Sequence, residues 1–396
     1  MKRIAVIGGK LQGLEAVYLA KKAGMETVLI DQQEGTPASA LCDRLILENV
    51  FEKNSGLIAE LKKADLVLPA LENEAVLKVL EALSKEHHFR LAFDMASYRI
   101  TSSKISSDQL MSSYGFPVPQ YYPNCNAPYI LKPSASSGSQ GVTYLKTQAE
   151  IEAFLQRVPA NEAWVAQEFL SGPSYSIEVL GTPGNYQTYE VTEIHMDEMY
   201  DCKRVTAPCT LTDKMRMDFS EMGVRLADVM NLKGIMDVEV INHEGVLKIL
   251  EIDARLPSQT PTVVYHATGI NLIEELAHLF CEGGLRQRKP VNAKAVSFEH
   301  LLINGDQIKA AGEHLISQAG PFKLIRDFCG TDEVLTDYQD GDDVWRGTFI
   351  NYADTQSQLE AKRERMFEGI RKRQGKRLPH VNSSPSYGGT GGYHEQ

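Results

Sequence analysis

Short apolar strands alternate with helical stretches through residues 1–95 of the chain. The stretch "RIAVIGG" predicts a strand, "LEAVYLAKKAG" predicts a helix that ends at Gly24, and "ETVLID" predicts a second strand. The pattern continues with a strand in "ADLVLPAL", a helix near "ENEAVLKVLEALSKE" and a strand in "RLAFD". Parallel strands need a crossover connection, which is usually a helix, so this alternation predicts a parallel α/β sheet.

Changes in composition divide the rest of the chain. The serine-rich segment "ASYRITSSKISSD" marks a boundary, and the helix predicted in "SSDQLMSSYG" ends at Gly115. Strands and helical stretches mix from "YILKP" to the charged helix "SQLEAKRERMFEGIRKRQGK", whereas "VNSSPSYGGTGGYHEQ" lacks apolar periodicity. We therefore predict an α/β domain at 1–99, α+β subdomains at 100–179 and 180–372, and a flexible tail at 373–396.

Composition limits the class of partner. The 396 residues are 43% hydrophobic and 23% charged, as in soluble globular proteins, and the formal net charge of −11 argues against nucleic acid. We find no apolar run long enough for a membrane span or a signal peptide. The six cysteines have no CxxC or zinc spacing, which indicates reduced thiols. We expect a cytoplasmic protein with small-molecule substrates, no nucleic-acid or membrane partner, and a homodimer as an open alternative to a monomer.

A glycine-rich turn, "GGKLQG", follows the first predicted strand, and Asp31 ends the second. The dinucleotide fingerprint G-x-G-x-x-G needs its middle glycine for the pyrophosphate, and Lys10 stands in that place. A nicotinamide-dependent oxidoreductase is therefore a second hypothesis. The backbone N–H groups of Lys10, Leu11 and Gln12 would still suit a carboxylate or phosphate. A tight turn that binds no ligand is the alternative.

A second glycine-rich stretch, "YILKPSASSGSQGVTYL", places Lys132 at a strand end before a loop of small residues. Small residues allow the backbone to wrap around phosphates, and lysine supplies positive charge. No GK[ST] follows, so the loop is not a Walker A motif. The stretch predicts phosphate binding. Lys104, upstream of the predicted helix, would be either a second phosphate ligand or a surface residue.

Acidic residues recur along the predicted strand "KILEIDAR". Alternate side chains of a strand share a face, so Glu251, Asp253 and Arg255 should lie together with Ile249. Carboxylate oxygens suit Mg²⁺, and an arginine beside them would bind a transferred phosphoryl group. A solvated face with an ion pair is the alternative reading, because exposed pairs contribute only about 0–1 kcal/mol.

These motifs resemble, in their order, those of the ATP-grasp superfamily. The matching stretches are Lys104 before a helix that ends in "YGFPVPQY", then "ILKPSASSGSQGV", "VAQEFLSGPSYSIEVL" and "DVEVIN…LKILEIDAR". The resemblance covers residues 1 to 290 or so and implies an ATP-grasp fold, in which a parallel α/β domain precedes two α+β subdomains that sandwich ATP. It is nearest to amino-acid ligases such as D-alanine–D-alanine ligase. Over the whole chain it is nearest to the ligases that join 3-methyl-D-ornithine to L-lysine in pyrrolysine biosynthesis.

The resemblance also implies roles for individual residues. Arg255 and Lys132 would be catalytic. The ATP-binding set would be Lys104, Lys132, Ser136, Ser137, Gly138, Ser139, Gln167, Glu168, Phe169, Leu170, Ser176 and Glu178. Two Mg²⁺ ions would be held by Glu239, Glu251 and Asp253, with Asp237 as a weaker fourth candidate.

The chain departs from the family pattern at two positions. Asp253 stands where the family usually has Asn, which would alter the coordination of the metal. Ser174 stands where the family usually has the Glu that binds the ribose, and Ser176 and Glu178 share its strand face and would substitute for it.

The substrate site is expected at the carboxyl edge of the first sheet, where ligands of open α/β sheets gather. Glu72 follows "DLVLPAL" at this edge, beside the turn after the first strand. It would pair with a lysine ammonium, or else it is an ordinary acid in the first turn of a helix. The predicted substrate-binding set is Lys10, Leu11, Gln12, Asp31, Glu72, Arg255 and Ser258.

The implied reaction is ADP-forming amide synthesis, in which ATP converts a carboxylate to an acyl phosphate and an amine then attacks it. By resemblance, 3-methyl-D-ornithine supplies the carboxylate and L-lysine its side-chain amine. The alternatives are another ATP-grasp amino-acid or purine-pathway ligase, the oxidoreductase above, and a non-catalytic nucleotide-binding protein.

Overall fold

The computed structural model describes residues 1–134, 141–158, 163–288, 291 and 293–375. Within these ranges every helix is too short or too polar to span a lipid bilayer. The strands form a small parallel sheet, a small antiparallel sheet and a large antiparallel sheet. The predicted mixed α/β fold class is confirmed.

The N-terminal sheet is parallel, in the order β3-β2-β1-β4. Its strands and helices are β1 (Arg3–Ile7), α1 (Leu11–Lys22), β2 (Glu26–Asp31), β3 (Arg44–Leu47), α2 (Ser55–Lys63), β4 (Leu66–Pro69) and α3 (Glu74–His87). Gly24 has a positive φ of 68° just after the C-cap of α1, as predicted for the end of that helix.

The strand predicted in "RLAFD" is wrong, because the segment makes an isolated bridge from Leu91 to Val67. The Asp94 side chain then accepts hydrogen bonds from the amides of Ala96 and Ser97 and caps a new helix. The chain therefore turns away from the sheet before a strand can extend.

Two short helices and the small sheet follow. They are α4 (Met95–Thr101), α5 (Lys104–Ser113), β5 (Tyr129–Pro133), β6 (Thr143–Leu145), α6 (Gln148–Leu155) and β7 (Trp164–Glu168), with strand order β6-β5-β7. The serine-rich boundary segment thus contains most of helix α4 and the first half of α5. Ser103 caps α5 by accepting from the amide of Ser106, so Lys104 lies in the first turn of that helix, not before it.

The large sheet has the order β13-β12-β8-β10-β11-β14-β18-β17-β16, with β9 paired to β8 and β15 paired to β14. Its strands are β8 (Ser174–Thr182), β9 (Asn185–Thr188), β10 (Thr192–Met196), β11 (Cys202–Ala207), β12 (Gly234–His243), β13 (Val246–Asp253), β14 (Ala295–Asn304), β15 (Gln307–Ala310), β16 (Lys323–Arg326), β17 (Glu333–Thr336) and β18 (Val344–Ala353). The helices of this part are α7 (Asp213–Met230), α8 (Thr260–Thr268), α9 (Leu272–Glu282), α10 (Glu313–Ser317) and α11 (Gln356–Gly375). The predicted division between residues 179 and 180 falls within β8, and most of the predicted tail lies outside the described residues.

One hydrophobic core connects the N-terminal sheet to the large sheet. Leu19 of α1, Leu272 and Leu276 of α9, and Val296 of β14 all belong to it and are fully buried. The Asn271 side chain also donates a 2.8 Å hydrogen bond to the Leu19 carbonyl. This packing fixes the carboxyl edge of the parallel sheet beside the end of β13 and beside α10.

Candidate functional site

Acidic side chains form two rows across three neighbouring strands of the large sheet. The strand register places Glu239 between Ser176 and Glu251 in one row, and Asp237 between Glu178 and Asp253 in the next. These residues share the face of the sheet opposite Val238 and Val240, which pack in the core. We call this set of five acids (Glu178, Asp237, Glu239, Glu251 and Asp253) the acid face.

A β-bulge separates Ile249 from the acid face. Glu239 pairs with Glu251, whereas the next residue, Val240, pairs with Ile249, so Leu250 is the extra residue. Ile249 therefore shares the core face with Val240 and is fully buried in the hydrophobic core. The prediction that Ile249 lies beside Glu251 is wrong, because strict alternation fails at a bulge.

The bulge also brings a carbonyl group toward a lysine. Lys132 of β5 donates a 3.3 Å hydrogen bond to the Leu250 carbonyl. The ammonium group is buried, and this desolvation lowers its pKa, although Glu251 and Asp108 act against the shift. Lys132 is thus held directly against the strand that carries Glu251 and Asp253.

The acid face holds more negative charge than its neighbours compensate. Burial raises the pKa of Glu239 to about 8, with Glu251 and Asp253 adding to the shift. Burial also raises the pKa of Asp253 to about 7, although Arg255 opposes the change. One buried oxygen of Asp237 has no hydrogen-bond partner among the described residues. A cluster of oxygen donors with uncompensated charge fits a hard divalent cation such as Mg²⁺.

Lysine side chains approach the acid face from the small sheet and from α5. The Lys104 ammonium lies 2.5 Å from Oε1 of Glu251. Burial favours the neutral form of Glu251, but Lys104 and Lys132 together lower its pKa. The predicted phosphate loop residues Ser136, Ser137, Gly138 and Ser139 lie outside the described residues.

Arg255 lies at the end of the acid face. Its Nη2 atom is 2.9 Å from Oδ2 of Asp253, and its Nε atom is 2.6 Å from Oε1 of Glu72. The side chain is 12% exposed. Arg255 therefore joins the acid face to the carboxyl edge of the N-terminal sheet.

The predicted adenine hinge occupies the end of β7. Oε1 of Glu168 accepts hydrogen bonds from the amide of Gln120, at 2.8 Å, and from the Lys248 ammonium. The amides of Glu168 and Phe169 donate to the carbonyls of Gln120 and Pro128. Gln167 and Leu170 are buried. The Glu168 carboxylate and these two amides are thus already paired within the protein.

The predicted ribose ligands lie at different depths along β8. Ser174 pairs with Ile241, Ser176 with Glu239, and Glu178 with Asp237. The strand β8 begins near the hinge. Ser176, in the row of Glu239, is therefore closer to the hinge than Glu178, which lies in the next row with Asp237. Ser176 is therefore nearer to the predicted nucleotide position than Glu178.

A cavity of about 510 Å³ opens between the carboxyl edge of the N-terminal sheet and α10. All seven residues of the predicted substrate set line it, namely Lys10, Leu11, Gln12, Asp31, Glu72, Arg255 and Ser258. Gln12 donates a 2.8 Å hydrogen bond to Oε1 of Glu72. Asp31 accepts from the amides of Gly9 and Gln33.

The glycines of the first turn are explained by close packing. A Cβ atom on Gly9 would lie 2.2 Å from Oγ1 of Thr36, and one on Gly13 would lie 2.0 Å from the Gly8 carbonyl oxygen. The turn therefore needs these glycines whether or not it binds a ligand.

Sequence reasoning missed the part of the cavity wall that α10 contributes. Glu313, His314 and Ser317 line the same cavity as Glu72. They belong to a helix of five residues in the closing segment, more than 200 residues from the turn they face. We find no local pattern in the sequence that indicates this contact.

The sequence pattern of the ATP-grasp domain matches residues 101–259. The 3-methyl-D-ornithine–L-lysine ligase of Methanosarcina mazei is 36% identical over 325 residues, which cover 81% of this chain and 84% of the relative. The chain belongs to the 3-methyl-D-ornithine–L-lysine ligase family. The family resemblance predicted from the ordered motifs is confirmed, and the oxidoreductase hypothesis is set aside.

Solved structures show that this family member has the ATP-grasp fold. The L-amino acid ligase of Bacillus licheniformis has a TM-score of 0.67 at 15% identity, with 93% of this chain and 98% of that chain covered. The biotin carboxylase domain of the Hydrogenobacter thermophilus 2-oxoglutarate carboxylase, solved with MgADP and bicarbonate, has a TM-score of 0.66 at 15% identity, with 89% and 86% covered. At such identities the likeness concerns the fold alone.

Proposed function

We propose that this protein is an ATP-dependent ligase that joins the carboxylate of 3-methyl-D-ornithine to the side-chain amine of L-lysine, as in pyrrolysine biosynthesis. The observation that carries the proposal is the position of Arg255, which contacts both Asp253 of the acid face and Glu72 of the cavity. A group that is phosphorylated beside the acid face would thus be within reach of an amine bound in the cavity. The family membership supports this choice of substrates.

The acid face would hold Mg²⁺ through Glu239, Glu251 and Asp253, with Asp237 as a fourth donor and room for two ions. When bound, Mg²⁺ neutralises the charge of the ATP phosphates. Lys104 and Lys132, which contact strand β13 of the acid face, would supply positive charge to those phosphates. Arg255 would bind the phosphoryl group as it passes to the substrate carboxylate, because a guanidinium pairs well with phosphate oxygens.

Glu178 suits an ammonium group of the diamino acid that is activated. It is fully buried. Neither of its carboxylate oxygens has a hydrogen-bond partner among the described residues that meets both the distance and the angle required. Burial raises its pKa to about 7. A cationic substrate group would compensate this carboxylate and the neighbouring Asp237, which a neutral or acidic substrate would not.

A trapping experiment tests the reaction type. Purified protein with ATP, Mg²⁺, 3-methyl-D-ornithine and hydroxylamine should form a hydroxamate and release ADP. Omission of the amino acid is the control. Release of AMP and pyrophosphate would contradict the acyl-phosphate route, and absence of any amino-acid-dependent ADP would contradict the ligase itself. A screen of amino-acid pairs with mass analysis of the products then tests the choice of substrates.

We further propose that the protein works in the cytoplasm, where its cysteines would stay reduced. All six cysteines are free thiols in the structure. The homodimer remains a prediction, and sedimentation of the purified protein with and without ATP tests it.

A further inference from the structure

Glu313 is an acidic residue of the cavity that forms no ion pair with a described lysine or arginine, although Arg255 and His314 lie near enough to act on its charge. Its Oε2 atom accepts a 2.9 Å hydrogen bond from Nε2 of Gln259 and a weaker one, at 3.4 Å, from Oγ of Ser258. No described lysine or arginine lies within ion-pair distance of it. Oε1 has no partner among the described residues, so it is free to accept a hydrogen bond from a ligand.

The other acids of the cavity also accept hydrogen bonds, and of these only Glu72 forms an ion pair with a described lysine or arginine. Glu72, the acid predicted to bind the lysine ammonium, is held by Arg255 and Gln12 on the same oxygen. Asp31 accepts from two backbone amides of the N-terminal domain, and Glu48 accepts from the Asn54 side chain at 2.6 Å. Asp31 and Glu48 thus lack a described cationic partner too, but they lie at the ends of strands of the N-terminal sheet, whereas Glu313 contacts Ser258 and Gln259, which follow Arg255 closely in the chain. A cationic group bound beside Arg255 therefore finds its uncompensated partner at Glu313.

Glu313 also lies where the cavity meets the acid face. Its Oε2 atom lies 3.4 Å from Oγ of Ser258, and Arg255 of the proposed phosphoryl-transfer site lines the same cavity. Burial raises its own pKa, and Asp201 adds to the shift, whereas Arg255, the hydrogen bond from Gln259 and His314 act against it. An amine that contacts Glu313 is thus close to the position at which the activated carboxylate would form.

A preformed structure holds the Glu313 carboxylate in place. The Asp201 carboxylate accepts a 3.3 Å hydrogen bond from the amide of His314, and its Oδ1 atom lies 3.1 Å from Nδ1 of the His314 ring. The side chain of Gln259, which donates to Glu313, is itself fixed by Sγ of Cys202 at 3.1 Å. Such support from two directions is expected of a group that positions a reactant.

We propose that Glu313 binds the ammonium group of the attacking amine and accepts its proton. This inference rests on the proposed function.

The chemistry of the attack requires a proton acceptor. An ammonium cannot attack because its lone pair is bound to a proton, and a lysine amine has a pKa of about 10.4. Transfer of one proton to Glu313 frees the lone pair, which forms the new C–N bond. The bond from the acyl carbon to the phosphate oxygen breaks, and the departing phosphate takes the second nitrogen proton. Glu313 then returns its proton to solvent.

The test compares two nucleophiles with Glu313→Gln. Hydroxylamine is largely uncharged at neutral pH and needs no base, so hydroxamate formation from the carboxylate substrate should stay within about threefold of the unsubstituted protein. Amide formation with L-lysine should fall about a hundredfold or more, as for removal of a general base. Hydroxamate formation also shows that the variant is folded. Glu198→Gln, the same change at an exposed carboxylate of the neighbouring β10–β11 connection, should leave both rates unchanged.

The pH profile separates proton transfer from mere binding. The lysine-dependent rate of Glu313→Gln at saturating lysine should rise about tenfold per pH unit toward the pKa of the free amine, whereas that of the unsubstituted protein should level off earlier. The inference is overturned if Glu313→Gln forms the amide with L-lysine at a rate within threefold of the unsubstituted protein. It is also overturned if the variant loses amide formation and hydroxamate formation to the same extent. Failure of the unsubstituted protein to form any hydroxamate overturns the proposed function instead, and the inference with it.

Discussion

The Nε atom of Arg255 lies 2.6 Å from Oε1 of Glu72. Arg255 follows β13 in the large sheet, and Glu72 follows β4 in the N-terminal sheet, so this ion pair ties two sheets together at the candidate site. The side chains are 12% and 25% exposed, which makes the pair largely shielded from water. Removal of one partner of such a pair leaves the other charge uncompensated.

Glu72→Gln should slow the activation of the carboxylate. Loss of this shielded ion pair would leave Arg255 held by Asp253 alone and lower the rate roughly tenfold to a hundredfold. Hydroxamate formation without lysine measures this rate. An unchanged rate with a raised KM for lysine alone would show that Glu72 binds lysine directly, as the sequence first suggested.

Glu251→Gln should reduce ligase activity by about two orders of magnitude or more, because it removes a charged oxygen from the acid face and the partner of Lys104. Asp253→Asn should be milder, since Asn keeps an oxygen donor and is the usual family residue. Turnover measured over a range of Mg²⁺ concentrations checks both. Glu221→Gln, an exposed change on α7, serves as the control. Full activity of Glu251→Gln with unchanged Mg²⁺ dependence would contradict the metal assignment.

Glu15→Gln should make the protein more stable at alkaline pH. Glu15 is buried, and burial raises its pKa to about 7 although the Thr262 amide donates to it at 2.6 Å. Its pKa in the unfolded chain is about 4.3. The folded protein therefore binds more protons between these values, and the free energy of unfolding falls as pH rises, by up to about 1.4 kcal/mol per pH unit.

Gln cannot ionise, so the variant should lack this decline. Urea unfolding at about pH 5 and about pH 8 measures the decline. From the lower to the higher pH, the free energy of unfolding of the unsubstituted protein should fall by roughly 2.5 kcal/mol more than that of the variant. The same pH dependence in both proteins would show that Glu15 is ionised in the folded state throughout this range.

Gly312→Ala should displace α10. A Cβ atom at this position would lie 1.7 Å from Oδ2 of Asp201, so the carboxylate or the helix must shift. We expect a loss of about 1–3 kcal/mol in the free energy of unfolding and a lower rate with lysine than with hydroxylamine. Gly284→Ala meets no atom within 4 Å and should be neutral in both assays. Equal behaviour of the two variants would mean that the position of α10 is not fixed by Asp201.

The sequence alone determined the strands and helices of the parallel sheet up to β4 and α3, and it predicted which acids share one face of a strand. Alternation of strands and helices predicted the parallel sheet, and the strand spacing of Glu251 and Asp253 predicted a shared acid face. These features follow from patterns within short stretches of chain, which local geometry translates directly into structure. The turn after β1 and Glu72 were likewise predicted at one edge, because carboxyl ends of parallel strands meet there.

The tertiary structure decided the strand register and the contacts between segments that are distant in the sequence. The bulge at Leu250 moves Ile249 to the core, since the register depends on the partner strand as well as on alternation. Arg255 was predicted, but its pairing with Glu72 could not be, because the two residues lie in different sheets. Glu313 and its support by Asp201 arise from packing of the closing segment against the N-terminal sheet, and a contact over such a separation leaves no periodic trace in the sequence.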